Sequence, residues 1–134
     1  MIDTAHAPID KWRLTSVCDE LGADEAHVWG ASLDQPANVI AKLAPLLSHD
    51  EYQRAMRRYR PVDRDRFIVG RGILRKIISA YLALPQGQLR FTYNEYGRPA
   101  VSEDQNDRAL NFNLSHFTLK QWHWSGWFSN RRYA

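Results

Sequence analysis

Two side chains that could contact a ligand stand together at the end of the segment "ALNFNLSH". Ser115 offers a hydroxyl that donates one hydrogen bond, and His116 offers an imidazole that adds positive charge when it is protonated. Apolar and polar residues alternate along the segment, which predicts a β-strand that ends near this pair. Because strand ends deliver side chains to ligand crevices, the pair indicates a phosphate contact.

Nucleophilic catalysis by this pair is not predicted. A serine hydrolase needs a third, orienting carboxylate and an oxyanion hole, and adjacent residues of a strand point to opposite faces of the sheet. A Ser-His dipeptide is by itself a weak signal. The interpretation of Ser115 and His116 therefore depends on the charged residues elsewhere in the chain.

Arginines are clustered in the middle of the chain. Between Arg54 and Lys76 there are eight arginines and one lysine against two aspartates, although the net charge of the whole chain is only +3. Arg54 and Arg66 lie in this stretch, and the turn "YGRP" presents Arg98. A guanidinium fork binds two phosphate oxygens at once. The clustering favours a phosphate-bearing or acidic partner, and the alternative is a solvated, charged helix face.

The bulk properties are those of one soluble domain. The chain has 134 residues, of which 44% are apolar and 25% charged. No apolar run reaches the length of a membrane span, and the first residues lack the pattern of a signal peptide, so we expect a cytoplasmic protein. The single Cys18 excludes an internal disulfide, and no Cys/His group has zinc-ligand spacing.

The first third of the chain predicts a loose arm, a strand and a short helix. Residues 1–25 are weakly patterned and form the expected arm. The alternation in residues 26–33 predicts a strand. Asp34 is the expected cap of the helix that follows, with Pro36 in its first turn and Pro45 limiting its length.

Two further helices are predicted on either side of Pro61. The segment "SHDE" is a capping box, in which Ser48 caps a helix and Glu51 reaches back to it. Asp63 is the expected cap of the next helix, which is the best in the sequence. Its apolar residues recur at helical spacing from Phe67 to Leu82.

Two glycines in that helix, Gly70 and Gly72, cost helix propensity of about 1 kcal/mol each relative to alanine, so we expect another element to approach closely there. Strands are predicted at residues 89–93 and 109–116, with a turn around Gly97 between them. The order of elements predicts an α+β (α/β-like) fold with helices packed on a small antiparallel sheet.

Three stretches together resemble the Sfp-type 4′-phosphopantetheinyl transferases. They are "LLSHDEYQRAMRRYRPVDRDRFIVGRGILRKIISAYLAL", "LRFTYNEYGRPAV" and "LNFNLSH". The likeness runs from about Val28 to His116 and implies one half of a pseudo-twofold fold, an N-terminal half-domain over residues 26–116. Such enzymes move the phosphopantetheine arm of coenzyme A onto a serine of an acyl or peptidyl carrier protein.

The resemblance also implies roles for five residues as the coenzyme A site. Arg54 and Arg66 match positions that contact the nucleotide phosphates, and Arg98 matches a position beside the adenine. Ser115 and His116 match the pair that binds the ribose 3′-phosphate. All five side chains are expected to converge on one anion-binding surface. Glu51 departs from the pattern, since some members carry lysine there, and this difference is expected to weaken phosphate binding.

The catalytic part of the family pattern is missing. The family has magnesium ligands in a "G-x-D-x-E" strand and a general base in a "W-x-x-K-E" helix, and neither motif occurs in the sequence. We therefore expect coenzyme A as substrate, no metal ligands and no identified catalytic residue in this chain, and no activity of the chain alone. The alternatives are a non-catalytic binding module and an inactive relic. Nucleic acid is not favoured as a partner, because Asp63 and Asp65 interrupt the basic stretch.

Residues 117–134 form a tryptophan-rich tail that is predicted to be a poor strand. Tryptophan has one codon, TGG, and reading from the third base turns Trp122-His123 into alanine and Trp127-Phe128 into valine. With permissive codons, that frame gives an apolar strand from Leu119 onward. The hypothesis is an out-of-frame tail on a truncated transferase, which the coding DNA tests.

A docked amphipathic end and an exposed sticky patch are the alternative interpretations of the tail. On the truncation hypothesis we expect the helix from Phe67 to Leu82 and the last strand to be partly uncovered, which favours self-association.

Overall fold

The computed structural model describes residues 21–22, 25–85, 87–107, 109–118 and 122–129, the last two ranges in part by their backbone alone. In chain order the helices and strands are β1 (Ala26–Ser32), α1 (Ala37–Leu43), α2 (His49–Met56), α3 (Pro61–Leu82), β2 (Phe91–Tyr93), β3 (Pro99–Val101), β4 (Asn111–Thr118) and β5 (Trp122–Ser129). The α+β class is therefore confirmed. The predicted N-terminal arm lies almost wholly outside the described residues.

The strands form two antiparallel sheets. One has three strands in the order β1-β5-β4, and the other is the hairpin β2-β3. In the hairpin turn, Asn94 Oδ1 accepts hydrogen bonds from the backbone N–H groups of Tyr96 and Arg98, both at 2.9 Å. Gly97 takes the positive φ of 79° that the turn requires, as the sequence predicted.

The expectation that the tryptophan-rich segment makes a poor strand was wrong. Residues 122–129 form the middle strand of the larger sheet and pair with β1 on one side and β4 on the other. Pairing on both edges satisfies the backbone N–H and C=O groups, and this tertiary context outweighs the weakness of Gly126 as a strand former. The division of the chain at His116 stays a prediction.

Two helix starts differ from the sequence prediction. Pro36, and not Asp34, is the N-cap of α1, because the helix begins at Ala37, and the Asp34 carboxylate accepts a hydrogen bond from Arg66. Pro61 does not end α2, which has already ended at Met56; it occupies the first turn of α3, where its missing N–H costs nothing. Arg60, and not Asp63, is therefore the N-cap of α3.

The capping box of α2 is confirmed. Ser48 Oγ accepts a hydrogen bond from the backbone N–H of Glu51 at 3.2 Å, and Glu51 Oε1 accepts one from the backbone N–H of Ser48 at 2.9 Å. The two bonds satisfy backbone N–H groups that have no partner within the helix at its N-terminus. They also fix the Glu51 side chain at the beginning of the helix.

Helix α3 supplies more of the core than any other helix or strand. Its large apolar side chains between Ile68 and Leu82 are buried, so the expectation that the helix is partly uncovered was wrong for this stretch, whereas Phe67 is half-buried. An aromatic layer lies between the helix and the larger sheet, where the Tyr81 hydroxyl accepts a hydrogen bond from Trp29 Nε1 at 2.8 Å. Phe128 packs against both Tyr81 and Phe112 in this layer. Within the described ranges, no helix is long and apolar enough to cross a membrane.

Candidate anion-binding site

A wholly buried carboxylate, that of Glu51, joins α2 to α3. Its Oε1 accepts a hydrogen bond from Arg75 Nε at 2.5 Å, and its Oε2 accepts one from Arg71 Nη1 at 3.2 Å. The side chains of Glu51, Arg75 and Arg71 are 0%, 6% and 12% exposed. Burial strengthens each of these charge-assisted bonds and makes the loss of a partner costly. Glu51, which departs from the family pattern, therefore forms buried ion pairs with Arg71 and Arg75. The expectation that it weakens phosphate binding stays a prediction.

Arg71 lies between aromatic rings. Its guanidinium carbon is 5.3 Å from the centre of the Phe67 ring and 5.8 Å from that of the Phe91 ring. Nη1 also donates to the Tyr93 hydroxyl at 3.4 Å. The rings exclude water from the flat faces of the guanidinium while leaving its charge attractive to an anion at its edge.

Two more arginines lie around the same rings. The guanidinium carbon of Arg58 is 4.8 Å from the centre of the Phe67 ring, and that of Arg54 is 5.7 Å from the centre of the Tyr93 ring. The predicted Arg54 is thus joined to Arg71 through Tyr93, and Arg58 is joined to Arg71 through Phe67. Three positively charged side chains therefore pack against the aromatic rings of Phe67, Phe91 and Tyr93.

His116 is affected by the charges of this cluster. Partial burial lowers its pKa below the ordinary value, and the positive charges of Arg58 and then Arg71 lower it further. Along β4, His116 follows Phe112 and Leu114 at intervals of two residues, so it lies on the same face of the sheet as those partly or fully buried side chains. The imidazole therefore lies within electrostatic range of Arg58 and Arg71.

Ser115 is exposed and lies on the opposite face of β4 with Asn111 and Asn113, as the alternation predicted. The structure therefore does not bring its hydroxyl to the side of His116. If Ser115 contacts a ligand bound beside His116, it does so through its backbone groups or from the end of the strand.

Arg98 lies next to the cluster, on a cleft of about 520 Å³. Tyr93 and Phe112 also line this cleft, and Arg98 Nη2 donates to the Phe112 carbonyl oxygen at 3.1 Å. The volume is in the range of small-molecule sites. Tyr93 therefore separates the cleft of Arg98 from the arginine cluster and belongs to both.

Arg66 is held elsewhere. Its Nε donates to Asp34 Oδ1 at 2.8 Å, which ties α3 to the loop after β1. Phe67 and Arg71 are four residues apart and share one face of α3, whereas Arg66 is turned from Phe67 by about 100°.

The chemistry of the donors does not fit a resident magnesium ion in this part of the chain. Within residues 21–129, where described, no group of three His, Cys, Asp or Glu side chains could hold a metal. The carboxylate at the centre of the cluster, Glu51, is already bonded to two guanidinium groups. We derive no step through a metal from these residues.

Comparison with known proteins identifies a family for the chain. A family model described as "4′-phosphopantetheinyl transferase, N-terminal" matches residues 29–119. The chain belongs to the 4′-phosphopantetheinyl transferase family. The resemblance inferred from the three sequence motifs is thereby confirmed.

Relatives within the family differ in identity but match stretches of similar length. The 4′-phosphopantetheinyl transferase HetI of Nostoc sp. is 46% identical over 94 residues, which are 70% of this chain and 40% of HetI. The transferase ffp of Bacillus subtilis is 28% identical over 91 residues, 66% of this chain and 39% of ffp. Sfp of Bacillus subtilis strain 168 is 25% identical over 91 residues, again 66% and 39%. The matched region thus spans about 40% of each of these relatives.

Sequence reasoning missed Arg58, Arg71 and Tyr93. A usable signal was the spacing of Phe67, Arg71 and Arg75, which recur every four residues and so lie on the apolar face of α3. An arginine on the buried face of a helix needs a partner. The capping glutamate three residues after Ser48 was the available carboxylate.

Proposed function

We propose that the chain binds coenzyme A and provides the coenzyme-binding part of a 4′-phosphopantetheinyl transferase. The observation that supports this most directly is the gathering of Arg54, Arg58 and Arg71 around Tyr93 and Phe67. Coenzyme A carries a pyrophosphate and a 3′-phosphate, and clustered guanidinium groups match such anions in charge and geometry.

The proposed reaction transfers the phosphopantetheine arm to a serine of an acyl or peptidyl carrier protein. The serine oxygen forms a bond to the phosphorus nearer the arm, the bond from that phosphorus to the bridging oxygen breaks, and 3′,5′-ADP leaves. The serine proton passes to a base, for which the described residues offer no candidate. The part of Arg54, Arg98 and His116 is to hold the phosphates and the nucleotide in place while negative charge builds up on the leaving group.

The proposal also covers the fold of the whole enzyme, its location, its carrier protein and its metal. The region forms one half of a pseudo-twofold transferase and works in the cytoplasm on an acidic carrier protein, which the arginines of α2 and α3 attract. Magnesium serves the complete family enzyme, with ligands outside the described residues. Arg66 and Ser115 remain proposed contacts to the phosphates.

Calorimetry of the whole chain tests the proposal. Coenzyme A is titrated first, and dephospho-coenzyme A, which lacks the 3′-phosphate, is the matched ligand. We expect coenzyme A to bind at least about tenfold more tightly, as the loss of a charge-assisted hydrogen bond implies. Absence of binding by coenzyme A at millimolar concentration would overturn the proposal in favour of an inactive relic.

A second measurement separates binding from transfer. The chain is mixed with coenzyme A, magnesium and an acyl carrier protein, and the carrier is weighed by mass spectrometry. We expect no added phosphopantetheine mass from this chain alone. Full modification of the carrier would show that the chain contains the whole catalytic machinery and would overturn the restriction to coenzyme binding.

A further inference from the structure

The β2-β3 hairpin forms one wall of the cleft of about 520 Å³, to which it contributes Tyr93 and Arg98. In the part of the chain that the structure describes, β2 and β3 pair with each other and not with the larger sheet. Each of these strands has only three residues. A short two-stranded hairpin is marginally stable in water unless it packs against another element. The shape of the cleft therefore depends on what attaches the hairpin to the rest of the fold.

Arg75 of α3 attaches the base of the hairpin. Its Nη1 donates to the carbonyl oxygen of Leu89, two residues before β2, at 2.6 Å. Its guanidinium carbon lies 4.8 Å from the centre of the Phe91 ring, at the first residue of β2. Leu89 and the Arg75 side chain are both buried, so the loss of this donor leaves a buried carbonyl oxygen unsatisfied. One side chain therefore holds both the backbone and the first ring of the hairpin to the helix.

Glu51 fixes the direction of the Arg75 guanidinium. Glu51 Oε1 accepts hydrogen bonds from Arg75 Nε at 2.5 Å and from the backbone N–H of Ser48 at 2.9 Å. The carboxylate is thus anchored to the backbone at the start of α2, and the guanidinium is anchored to the carboxylate. Because the guanidinium is planar and its donors form a rigid fork, a fixed Nε also fixes the direction of Nη1. A continuous path of hydrogen bonds thereby runs from α2 to the base of the hairpin.

Gln105 makes a second set of contacts to the hairpin base. Its Nε2 donates to the carbonyl oxygen of Gln88 at 2.7 Å, and its Oε1 accepts a hydrogen bond from the backbone N–H of Arg90 at 2.7 Å. Gln105 lies in a short 3₁₀ helix that follows β3, and both of its bonds are exposed. It therefore joins the two ends of the hairpin to each other, whereas Arg75 joins the hairpin to the helices.

The opposite wall of the cleft includes Phe112 of β4. The rings of Phe91 and Phe112 have their centres 6.2 Å apart, and Arg98 Nη2 donates to the Phe112 carbonyl oxygen at 3.1 Å. Phe112 in turn packs against Phe128 in the core. The hairpin thus lies between α3, at its base, and β4, across the cleft. A displacement of the base therefore changes the separation of the two walls.

We propose that Arg75 is a positioning residue for this cleft, and that its bond to the Leu89 carbonyl oxygen, directed by Glu51, sets the place of Tyr93 and Arg98. The occupation of the cleft by coenzyme A rests on the proposed function. The attachment of the hairpin by Arg75 does not.

Two variants test the attachment. Arg75→Lys keeps the charge but offers one nitrogen in place of the separate Nε and Nη1 atoms, so it cannot hold Glu51 and the Leu89 carbonyl oxygen in their present positions. The double variant Glu51→Gln/Arg75→Gln removes one charge of each sign and so leaves the summed charge of the buried ion pairs unchanged. Glutamine is also accepted in a capping box. If one variant fails to fold, the other decides.

Gln105→Ala is the matched control. It removes two hydrogen bonds from the same hairpin base but leaves the link to the helices intact. Its lost bonds are exposed, so water replaces them at low cost. We therefore expect a smaller effect on the cleft than in either variant of Arg75.

The first experiment measures amide hydrogen exchange and ring contacts by nuclear magnetic resonance on the whole chain. In both Arg75 variants we expect hairpin amides, such as the Ser102 N–H that donates to the Arg90 carbonyl oxygen, to be accelerated at least about tenfold more than the amides of α3. The nuclear Overhauser contact between Phe91 and Phe112 should weaken in the same proteins. A purely structural ion pair would accelerate both sets of amides equally.

Three results of this experiment would overturn the inference whether or not coenzyme A binds. They are unchanged protection of the hairpin in the Arg75 variants, equal acceleration of the hairpin and α3, and a Phe91–Phe112 contact that weakens as much in Gln105→Ala as in Arg75→Lys. The last result would mean that the closure of the hairpin on itself, and not its attachment to α3, sets the cleft.

The second experiment measures the dissociation constant of coenzyme A at a temperature at which circular dichroism shows each protein to be folded. We expect Arg75→Lys to bind about 10-fold more weakly than wild type, the double variant to bind more weakly still, and Gln105→Ala to differ from wild type by less than about 3-fold.

The outcomes separate the two proposals. If the wild-type chain does not bind coenzyme A but the hairpin loosens selectively in Arg75→Lys and loses its contact with Phe112, the coenzyme assignment fails and the positioning of the cleft by Arg75 stands. If coenzyme A binds and both Arg75 variants bind it as tightly as wild type, the coenzyme assignment stands and the positioning role of Arg75 is wrong.

Discussion

Gly72 of α3 lies directly against Leu43 of α1, and a Cβ atom placed on Gly72 would come within 2.8 Å of the Leu43 Cβ atom. Both residues are buried. The sequence predicted a close approach at the glycines of α3, and for Gly72 this prediction is confirmed. The contact brings α1 onto the helix that carries Arg71 and Arg75.

Gly72→Ala should therefore destabilise the protein, although alanine is the better helix former. The gain in helix propensity is about 1 kcal/mol, whereas overpacking a core contact costs about 1–3 kcal/mol. We expect a net loss or near balance in the free energy of unfolding, measured by urea denaturation. Lys76→Ala, one helical turn further on, is the control and should change stability by less than about 0.5 kcal/mol. A clear gain in stability for Gly72→Ala would show that α1 can move away.

The capping box gives a second prediction. Ser48→Ala removes the oxygen that accepts the backbone N–H of Glu51 and should cost about 1 kcal/mol of stability. Ser48→Asp is the matched control, because a carboxylate caps helices as well as a hydroxyl. Equal urea midpoints for Ser48→Ala and Ser48→Asp would contradict a stabilising cap.

The sequence predicted the elements of the site better than their mutual contacts. The alternation in β4 correctly placed Phe112 and Leu114 on the buried side and Ser115 on the exposed side. Local signals suffice for such features, because strand alternation and capping boxes act within a few residues. The contact of Arg66 with Asp34 spans 32 residues and has no local signal.

The prediction missed β5, the middle strand of the larger sheet, because this strand also depends on contacts between distant parts of the chain. The propensity of residues 122–129 is mixed, since aromatic residues favour strands and Gly126 does not. What stabilises β5 is the pairing with β1 and β4, which come from distant parts of the chain. The partner of Arg75 has no local signal either, because Glu51 lies 24 residues away, although helical spacing places Arg75 on the apolar face of α3.

Ser129, at the end of β5, gives a third prediction. Its hydroxyl is buried, and in the part of the chain that the structure describes its Oγ has no hydrogen-bond partner. A buried, unsatisfied polar group costs about 1–3 kcal/mol, so Ser129→Ala should raise the thermal midpoint. Ser32→Ala is the control, because the buried Ser32 Oγ accepts a hydrogen bond from the Asp34 backbone N–H at 3.2 Å. Destabilisation by Ser129→Ala would mean that Oγ has a partner among the remaining residues.

His116 gives the last prediction, which concerns pH. Its pKa in the free chain is below the ordinary value of about 6.5, because burial and the charges of Arg58 and Arg71 disfavour the imidazolium. The unfolded chain then binds the proton more strongly than the folded chain. The stability that His116 contributes is therefore present above about pH 6.5 and is lost as the pH falls through the lowered pKa.

A bound phosphate reverses this balance, because its negative charge favours the imidazolium and raises the pKa of His116. Binding then takes up a proton, and the affinity for coenzyme A should fall as the pH rises between the pKa of the free chain and that of the complex. His116→Gln is the matched comparison, since the phosphate of the ligand titrates equally in both proteins. We expect the wild-type dissociation constant to rise relative to that of His116→Gln from about pH 5.5 to pH 8. Parallel pH profiles for the two proteins would show that His116 is not protonated in the complex and binds the ligand, if at all, as the neutral imidazole.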